Sequence, residues 1–324
     1  MGKKLLLIST HKKDHDFIQA MSKIAEVDPI ICENAKAGVD HITKGVDCIF
    51  VDVSTPDLYL AFEKSIQDSV GMFSDKINAN LVHFIVQSDE LNDSKAIISS
   101  PLYGNLLQRN YEPQSETAGL YGRFLKRELA DKALGLENML SPGAKIQTIK
   151  FTRTSQKQDA VEAIRNYVIS AKFKARLSSV IANAVDELLM NAMFDAPVDE
   201  MNKRIYTQTS RNTNINLEGK ALVEMKVGFD ENYLAVTVAD QFGSLKKAAV
   251  VTHLMKSYID ESYKLKLTSA GAGLGLGNVF RSGANFIFSC DQGVRTEVSL
   301  FFKRTASFKD FKQQFRFLGT QFYF

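Results

Sequence analysis

The sequence predicts an α/β domain with a doubly wound parallel sheet, followed by an α+β domain. The first third of the chain alternates short apolar strands with amphipathic stretches, which is the rhythm of parallel βαβ units. The second half contains strands that alternate apolar and polar residues, two of them joined by a short turn, as in an antiparallel sheet. The length of 324 residues also fits two domains.

The first domain is predicted over residues 1–110. Its strand candidates are short apolar runs at 4–9, 29–33, 47–53 and 80–87, with a weaker one at 95–100. The stretch 16–25 has the spacing of an amphipathic helix. Residues 47–53 are apolar enough to be buried on both faces, as expected for a central parallel strand.

Residues 111–143 are predicted to form a helical connector. Between 114 and 140 the sequence has mixed charge, helical spacing and no strand signal. Pro142 and Gly143 then mark a boundary, because both residue types interrupt regular structure.

The second domain is predicted over residues 144–304. Its elements, in order, are a strand at 145–153, helices at about 157–172 and 176–195, a looser polar segment at 197–219, and strands at 221–228, 233–239, 285–290 and 296–302. The two strands around the turn at 229–232 alternate with period two and predict an antiparallel hairpin.

Composition excludes several functional classes. The formal net charge of +3 is small and the charges are interspersed, which argues against direct binding of nucleic acid or an anionic membrane. The three cysteines are far apart, as expected for reduced thiols in a cytoplasmic protein. No run approaches the roughly 20 apolar residues that a membrane helix needs, and the apolar run at 5–8 is too short for a signal peptide.

An unusual set of polar residues lies on the second predicted helix, in the stretch DELLMNAMFDA at 186–196. Residues four apart share a helix face, so Glu187, Asn191 and Asp195 should line up. A carboxylate and a carboxamide one turn apart can orient a water molecule and hold Mg²⁺. The alternative is the solvated polar face of an ordinary amphipathic helix.

Two further motifs follow along the chain. Glycines alternate with small or apolar residues in GAGLGLG at 271–277, where backbone amides could approach a phosphate group. Asp240 ends an apolar strand, with Gly243 close behind, and its carboxylate could accept a hydrogen bond from the amino group of a base. The alternatives are a flexible glycine loop and a simple turn-forming Asp.

Together and in this order, the three motifs resemble those of the GHKL ATPase family, which includes histidine kinases, type II topoisomerases and anti-sigma-factor serine kinases. Residues 186–196 resemble the N box, 240–243 the first glycine box and 271–277 the second. The resemblance covers about 144–304 and implies a two-layer α/β sandwich that binds ATP and Mg²⁺. Glu187 and its helix most resemble the anti-sigma-factor serine kinases.

The resemblance also implies roles for individual residues. Asn191 would coordinate Mg²⁺ between the ATP phosphates, and Glu187 would be the general base or would orient the attacking group. Asp240 would bind the adenine amino group, with Thr296 behind it through water. The other implied nucleotide contacts are Gly243, Gly271, Gly273, Gly275, Leu276 and, in an ATP lid at 246–270, Lys264 or Lys266.

Two residues depart from the family's first glycine box, which is usually Asp-x-Gly-x-Gly. Phe242 and Ser244 stand where the two glycines are expected. The chain is interpreted as a bacterial-type signalling regulator that phosphorylates a serine of a partner or sequesters it, the partner being a sigma factor, an anti-anti-sigma protein or another signalling protein. The alternatives are a weak ATPase and a non-catalytic module that senses nucleotide or only binds proteins.

The first domain resembles a response-regulator receiver domain at VDCIFVDVSTPD, residues 46–57. Asp52 would take the position of the phospho-acceptor. Ser9 and Thr10 stand where that family has its acidic pair, and Ser100 stands where it has a lysine. The domain is therefore interpreted as a pseudo-receiver used for protein contacts. The alternatives are an ordinary strand-end Asp and a doubly wound domain of another origin.

The last segment, 305–324, is a tail in which phenylalanines alternate with basic residues. Such a tail can pack against the chain's own domains or form a contact with a partner or a second copy, since exposed aromatic patches mark interfaces. A homodimer is expected.

Overall fold

The computed structural model describes residues 2–70, 77–87, 95–130, 135–137, 139–258, 279, 282–304 and 317–323. The chain divides into two compact units, one formed by Met1–Ala133 with Arg316–Thr320 and the other by Leu134–Phe315 with Gln321–Phe324. Each unit combines a sheet with helices, which confirms the mixed α/β class expected from the sequence.

The first unit is built on five parallel strands. These are β1 (Lys3–Ile8), β2 (Val27–Cys32), β3 (Cys48–Asp52), β4 (Val82–Val86) and β5 (Asn105–Gln108). The helices are α1 (Lys12–Ala25), α2 (Ala35–Thr43), α3 (Pro56–Val70), α4 (Lys95–Ile98) and α5 (Gln114–Glu128). The strand order is β2-β1-β3-β4-β5, so the direction of winding reverses between β1 and β3.

The helix that was predicted as a connector belongs to the first unit. α5 packs along α1, and it buries Leu120, Tyr121, Phe124 and Leu125. Phe17 of α1 stacks on Tyr111 just before α5, with ring centroids 4.1 Å apart. The apolar face of α5 is therefore covered within its own unit, which extends to Ala133.

The weak strand predicted at 95–100 is wrong. Residues 95–98 form the short helix α4, and the fifth strand is Asn105–Gln108 instead. Polar residues at both ends of this four-residue strand hide its pattern. In the fold they are buried, and Asn105 donates a hydrogen bond to the carbonyl oxygen of Asn80, 2.7 Å away.

Part of the aromatic tail forms a strand, β11 (Phe317–Tyr323). Its first residues, Phe317–Gly319, pair antiparallel with β5. The ring of Phe317 lies 4.9 Å from that of Tyr121 and 5.8 Å from that of Phe124. This part of the tail therefore packs against its own chain, whereas residues 305–316 and 324 lie outside the described residues.

The second unit contains an antiparallel sheet. Its strands are β6 (Lys145–Phe151), β7 (Val223–Phe229), β8 (Tyr233–Asp240), β9 (Asn285–Asp291) and β10 (Arg295–Lys303), in the order β6-β7-β8-β10-β9. Its helices are α6 (Gln156–Ser170), α7 (Ala175–Met190) and α8 (Lys247–Tyr258). The predicted hairpin is confirmed, with Val227 of β7 opposite Val236 of β8.

Helices α6 and α7 pack against each other, and α7 also contacts β8. The face of α7 that carries Ile181, Val185, Leu188 and Leu189 is buried. All eight residues of β8 are buried, so both faces of this strand are covered. No helix within the described ranges is long and apolar enough to cross a lipid bilayer.

Candidate functional site

Asp240 lies at the end of β8 with its side chain buried. Its Oδ1 accepts hydrogen bonds from the backbone amides of Phe242, at 2.8 Å, and Gly243, at 3.2 Å. Thr296 of β10 lies opposite Asp240 in the strand pair, and the hydroxyl group of Thr296 donates a hydrogen bond to the Asp240 carboxylate. The fold therefore brings together Asp240 and Thr296, which are 56 positions apart in the sequence.

The environment of Asp240 disfavours a negative charge. Burial raises the pKa of its carboxyl group to about 6, although the amides of Phe242 and Gly243, the Thr296 hydroxyl and the charge of Arg295 act in the opposite direction. Burial of a carboxylate costs stability where the surrounding groups do not fully replace its hydration. Ionisable groups with strongly shifted pKa values are concentrated at functional sites.

The turn after Asp240 is tightly fitted to the neighbouring backbone. Gly243 has a φ of +58°, and a Cβ atom at this position would lie 2.1 Å from the carbonyl oxygen of Asp291. Its own carbonyl oxygen accepts a hydrogen bond from the amide of Gly293, at 3.1 Å. A glycine is therefore required here for both conformational and steric reasons.

The two departures from the glycine-box pattern have different surroundings. The Phe242 side chain is buried, and the ammonium group of Lys220 lies 5.6 Å from the centre of its ring. The hydroxyl group of Ser244 donates a hydrogen bond to the carbonyl oxygen of Ala196, 2.7 Å away. This bond fixes the Asp240 turn to the end of the helical segment that contains Asn191.

That helical segment is not one continuous α-helix. α7 ends at Met190, and residues Asn191–Asp195 form a π-helical turn in which the amide of Ala196 donates to the carbonyl oxygen of Asn191 at 2.8 Å. The wider turn breaks the four-residue stacking after Asn191, so the predicted alignment of Asp195 with the other two residues is not kept. Asp195 instead pairs with Arg211, at 2.9 Å, and Arg204, at 3.7 Å.

Glu187 is half-buried and lines an open cavity of about 460 Å³. Cations and carboxylates share its walls, among them Lys157, Asp186 and Arg211. Burial raises the pKa of Glu187, the nearby Asp186 raises it further, and the charges of Arg211 and Lys157 oppose the rise. The surroundings of Glu187 therefore favour its protonated form more than water does.

The predicted residues are thus distributed over neighbouring features rather than one cavity. Asn191 is half-buried at the junction of α7 and the π-helical turn. Among the described residues that line the Glu187 cavity, neither Asn191 nor Asp240 is included. The link between these features is the packing of α7 and the π-helical turn on β8, together with the Ser244 hydrogen bond.

The remaining predicted nucleotide contacts fall outside the described residues. They are Gly271, Gly273, Gly275, Leu276, Lys264 and Lys266. The first part of the stretch predicted as an ATP lid is described and forms α8. Lys247 begins this helix, and burial lowers the pKa of its ammonium group to about 8. Sequence analysis did not single out this lysine.

Asp52 ends β3 and forms an ion pair with Arg109, which follows β5, at 2.7 Å. The same guanidinium group binds both carboxylate oxygens of Asp14, each at 2.9 Å. Sequence reasoning missed Asp14 and Arg109, because a partner 95 positions away leaves no local pattern.

No protein-family model matches the chain, and a search of curated proteins also finds no match. In the part of the chain that the structure describes, no three His, Cys, Asp or Glu side chains are grouped so as to hold a metal ion. The functional interpretation therefore depends on the sequence motifs and on the geometry of Asp240, Thr296, Asn191 and Glu187.

Proposed function

We propose that the second unit binds ATP with Mg²⁺, and that the chain is a nucleotide-dependent signalling regulator which phosphorylates or sequesters a protein partner. The observation that carries this proposal is the buried carboxylate of Asp240 at the end of β8, with Thr296 beside it. Its burial lowers the stability of the unit, which is the expected cost of a group kept for binding.

Adenine recognition is the role that the surroundings of Asp240 favour. The backbone amides of Phe242 and Gly243 hold Oδ1 and so fix the orientation of the carboxylate. A carboxylate has about four acceptor positions, so capacity remains for the exocyclic amino group of adenine. The Thr296 hydroxyl group, which both donates and accepts, can hold a water molecule in the same network.

The triphosphate would lie towards the end of α7. Asn191 offers a hard oxygen ligand for Mg²⁺, whose remaining ligands would be phosphate oxygens and water. Glu187 lies one α-helical turn earlier and would act as the general base or orient the attacking group. The contacts proposed for the lid and the second glycine box remain predictions from the family resemblance.

The first unit is proposed to be a receiver-like domain that serves protein contacts. Its strand order β2-β1-β3-β4-β5 is one of the two common orders of doubly wound sheets. Asp52 lies at the carboxyl end of β3, as the resemblance requires, but it is engaged by Arg109.

A second candidate function is a protein-interaction module with little or no affinity for nucleotide. The observation that favours it is the burial of Phe242 where the GHKL pattern has a glycine. An aromatic side chain adds volume beside Asp240, which lies two residues earlier, and it can reduce the space for a base.

Thermal denaturation with Mg-ATP and with Mg-ADP separates the two functions. Ligand at one hundred times its Kd adds about 2.7 kcal/mol to the stability of the state that binds it. We expect a shift of the melting temperature in the wild type that is lost in Asp240→Asn. Asp230→Asn is a matched control, because Asp230 is a turn carboxylate at the start of β8, at the opposite end of the strand. A wild type that does not respond to nucleotide would exclude ATP binding.

A second experiment separates a kinase or ATPase from a sensor. Glu187→Gln keeps the size and polarity of the side chain but removes its basicity. If the protein is an enzyme, this variant should bind Mg-ATP with unchanged stabilisation and lose phosphate release or phosphoryl transfer. Unchanged turnover in Glu187→Gln would show that Glu187 is not the base.

A further inference from the structure

We propose that Arg109 is an internal cation which permanently fills the carboxylate site of the first unit, so that the Asp14–Asp52 pair takes neither a divalent cation nor a phosphoryl group. The proposal concerns Arg109 and the two carboxylates that its guanidinium group joins. It does not depend on whether the second unit binds ATP.

The site lies where a doubly wound sheet normally binds its ligand. In such sheets the binding crevice is outside the carboxyl ends of the strands, at the point where the strand order reverses. Asp52 ends β3, Asp14 lies in the first turn of α1 directly after β1, and β1 and β3 flank the reversal point. Arg109 follows β5, and Gln87, which follows β4, accepts a hydrogen bond from its Nη1 at 3.2 Å.

The guanidinium group is bound with the geometry of a ligand in a closed site. Its Nε and Nη2 donate to the two oxygens of Asp14, each at 2.9 Å, and Nη2 also lies 2.7 Å from Oδ1 of Asp52. The exposed fractions of the three side chains are 5% for Arg109, 0% for Asp14 and 3% for Asp52. A planar fork that binds two carboxylates in this way is specific to arginine, because an ammonium group cannot reproduce it.

Other donors complete the shell around Asp14. The hydroxyl groups of Ser9, at 2.6 Å, and Tyr111, at 2.7 Å, donate to its two oxygens. Burial, followed by the charge of Asp14, raises the pKa of Tyr111, which keeps this phenol protonated as a donor. The carboxylate of Asp14 is therefore satisfied without metal or water.

Neither oxygen of Asp52 is accessible to a phosphoryl donor, because the side chain is buried. Its Oδ1 is held by Arg109 and by the backbone amide of Ser54, at 3.0 Å. Its Oδ2 is buried and makes no hydrogen bond within the described part of the chain, and Nε2 of His11 lies 3.5 Å from it. Phosphoryl transfer needs an accessible nucleophile in line with the leaving group and a cation to neutralise the phosphate oxygens. Asp52 offers no accessible nucleophile, and the guanidinium group of Arg109 occupies the position that the cation would need.

Removal of the guanidinium group should create a cation site. Oxygens of Asp14 and Asp52 both lie within 2.9 Å of the same Nη2 atom, so they already converge on one point. Two carboxylates, with water molecules as further ligands, form a suitable site for a hard divalent cation. Arg109→Ala leaves room for a hydrated ion, whereas Arg109→Lys keeps a positive charge in the site.

The test measures Mn²⁺ binding to the full chain, without nucleotide, by electron paramagnetic resonance. Arg109→Ala should bind one Mn²⁺ per chain at least tenfold more tightly than the wild type, and adding Asp52→Asn should abolish the gain. Arg109→Lys should resemble the wild type. Circular dichroism establishes that each variant is folded. A folded Arg109→Ala that binds no Mn²⁺ overturns the proposal.

The wild-type chain provides a second test, which remains decisive if Arg109→Ala does not fold. The wild type and Asp52→Asn are incubated with Mg²⁺ and radiolabelled acetyl phosphate, and their Mn²⁺ affinities are compared. Equal Mn²⁺ affinities of the two proteins, and no radiolabel that depends on Asp52, support a site that Arg109 fills. Label or Mn²⁺ binding in the wild type that disappears in Asp52→Asn overturns the proposal.

Discussion

Replacing Asp240 with Asn should stabilise the second unit at neutral pH, although the same change should abolish nucleotide binding. Burial of this carboxyl group raises its pKa from 3.8 to about 6 in the folded chain. The folded state therefore holds the proton more tightly than the unfolded state. This contribution to stability is fully present below about pH 4 and is lost as the pH rises through about 6.

The size of the effect follows from the two pKa values of Asp240. One pH unit corresponds to about 1.36 kcal/mol, so a rise from 3.8 to about 6 corresponds to about 3 kcal/mol. Asn is neutral at every pH, and its side-chain oxygen can accept the same amide hydrogen bonds. Above pH 7 the variant should exceed the wild type in stability by about 2–3 kcal/mol, and near pH 4 the two should be equal.

Urea denaturation of both proteins between pH 4 and pH 8 measures this difference. The expected result is a gap in the free energy of unfolding that opens between pH 4 and pH 6 and stays constant above pH 7. Two parallel pH profiles would refute the reasoning, because they would show that Asp240 has the same pKa in the folded and unfolded chains. An Asn variant that is less stable at pH 7.5 would refute it as well.

The remaining predictions concern stability and are measured by thermal or urea denaturation. Gly243→Ala should cost about 2–5 kcal/mol of stability, because the left-handed conformation costs about 1–2 kcal/mol and the contact of the new Cβ atom with neighbouring backbone about 1–3 kcal/mol. Gly293→Ala is left-handed but unobstructed, so it should lose only the conformational part of about 1–2 kcal/mol, and equal losses for the two variants would contradict the steric argument. Asp230→Asn should lose about 1–2 kcal/mol of stability at pH 7 and less at acid pH. Burial raises the pKa of this carboxyl group, but hydrogen bonds from backbone amides outweigh the effect of burial and lower the pKa overall. A loss of stability that grew as the pH fell would contradict a lowered pKa. Glu128→Ala should cost about 1–3 kcal/mol, because it removes a buried carboxylate that accepts a hydrogen bond and lies 3.1 Å from a buried histidine ring. The control Glu26→Ala breaks only an exposed pair and should cost less than about 1 kcal/mol.

Elements with a clear local period were predictable. The hairpin of β7 and β8 alternates with period two around a short polar turn, and its observed bounds differ from the predicted ones by at most two residues. The strands β1, β3 and β4 were visible as short apolar runs for the same reason. In each case the signal lies within about ten consecutive residues, because burial of one face or of both faces of a strand imposes its pattern directly on the sequence.

Elements that depend on distant partners were not predictable. The strand β5 has only four residues, and Asn105 at its start is hydrogen-bonded to groups elsewhere in the first unit. The strand β11 begins by pairing with β5, more than 200 positions away. Helix α4 was predicted as part of a strand at 95–100, because a stretch of six mostly apolar or small residues is too short to show a helical period.

The candidate site likewise combines features with a local sequence pattern and features that depend on tertiary packing. The motifs around Glu187, Asn191 and Asp240 were readable because each is a short local pattern. The π-helical turn that separates Asp195 from the first two residues was not, since it depends on how the end of α7 packs against β8.

The sequence by itself determined the mixed α/β class, most strands of both units and the residues proposed to bind nucleotide. Only the tertiary structure decided that Thr296 faces Asp240, that burial raises the pKa of that carboxyl group, and that Arg109 joins Asp14 to Asp52. The physical reason is that a repeating pattern records which face of an element is buried, whereas ion pairs and pKa values depend on which atoms the fold brings within a few ångströms of each other.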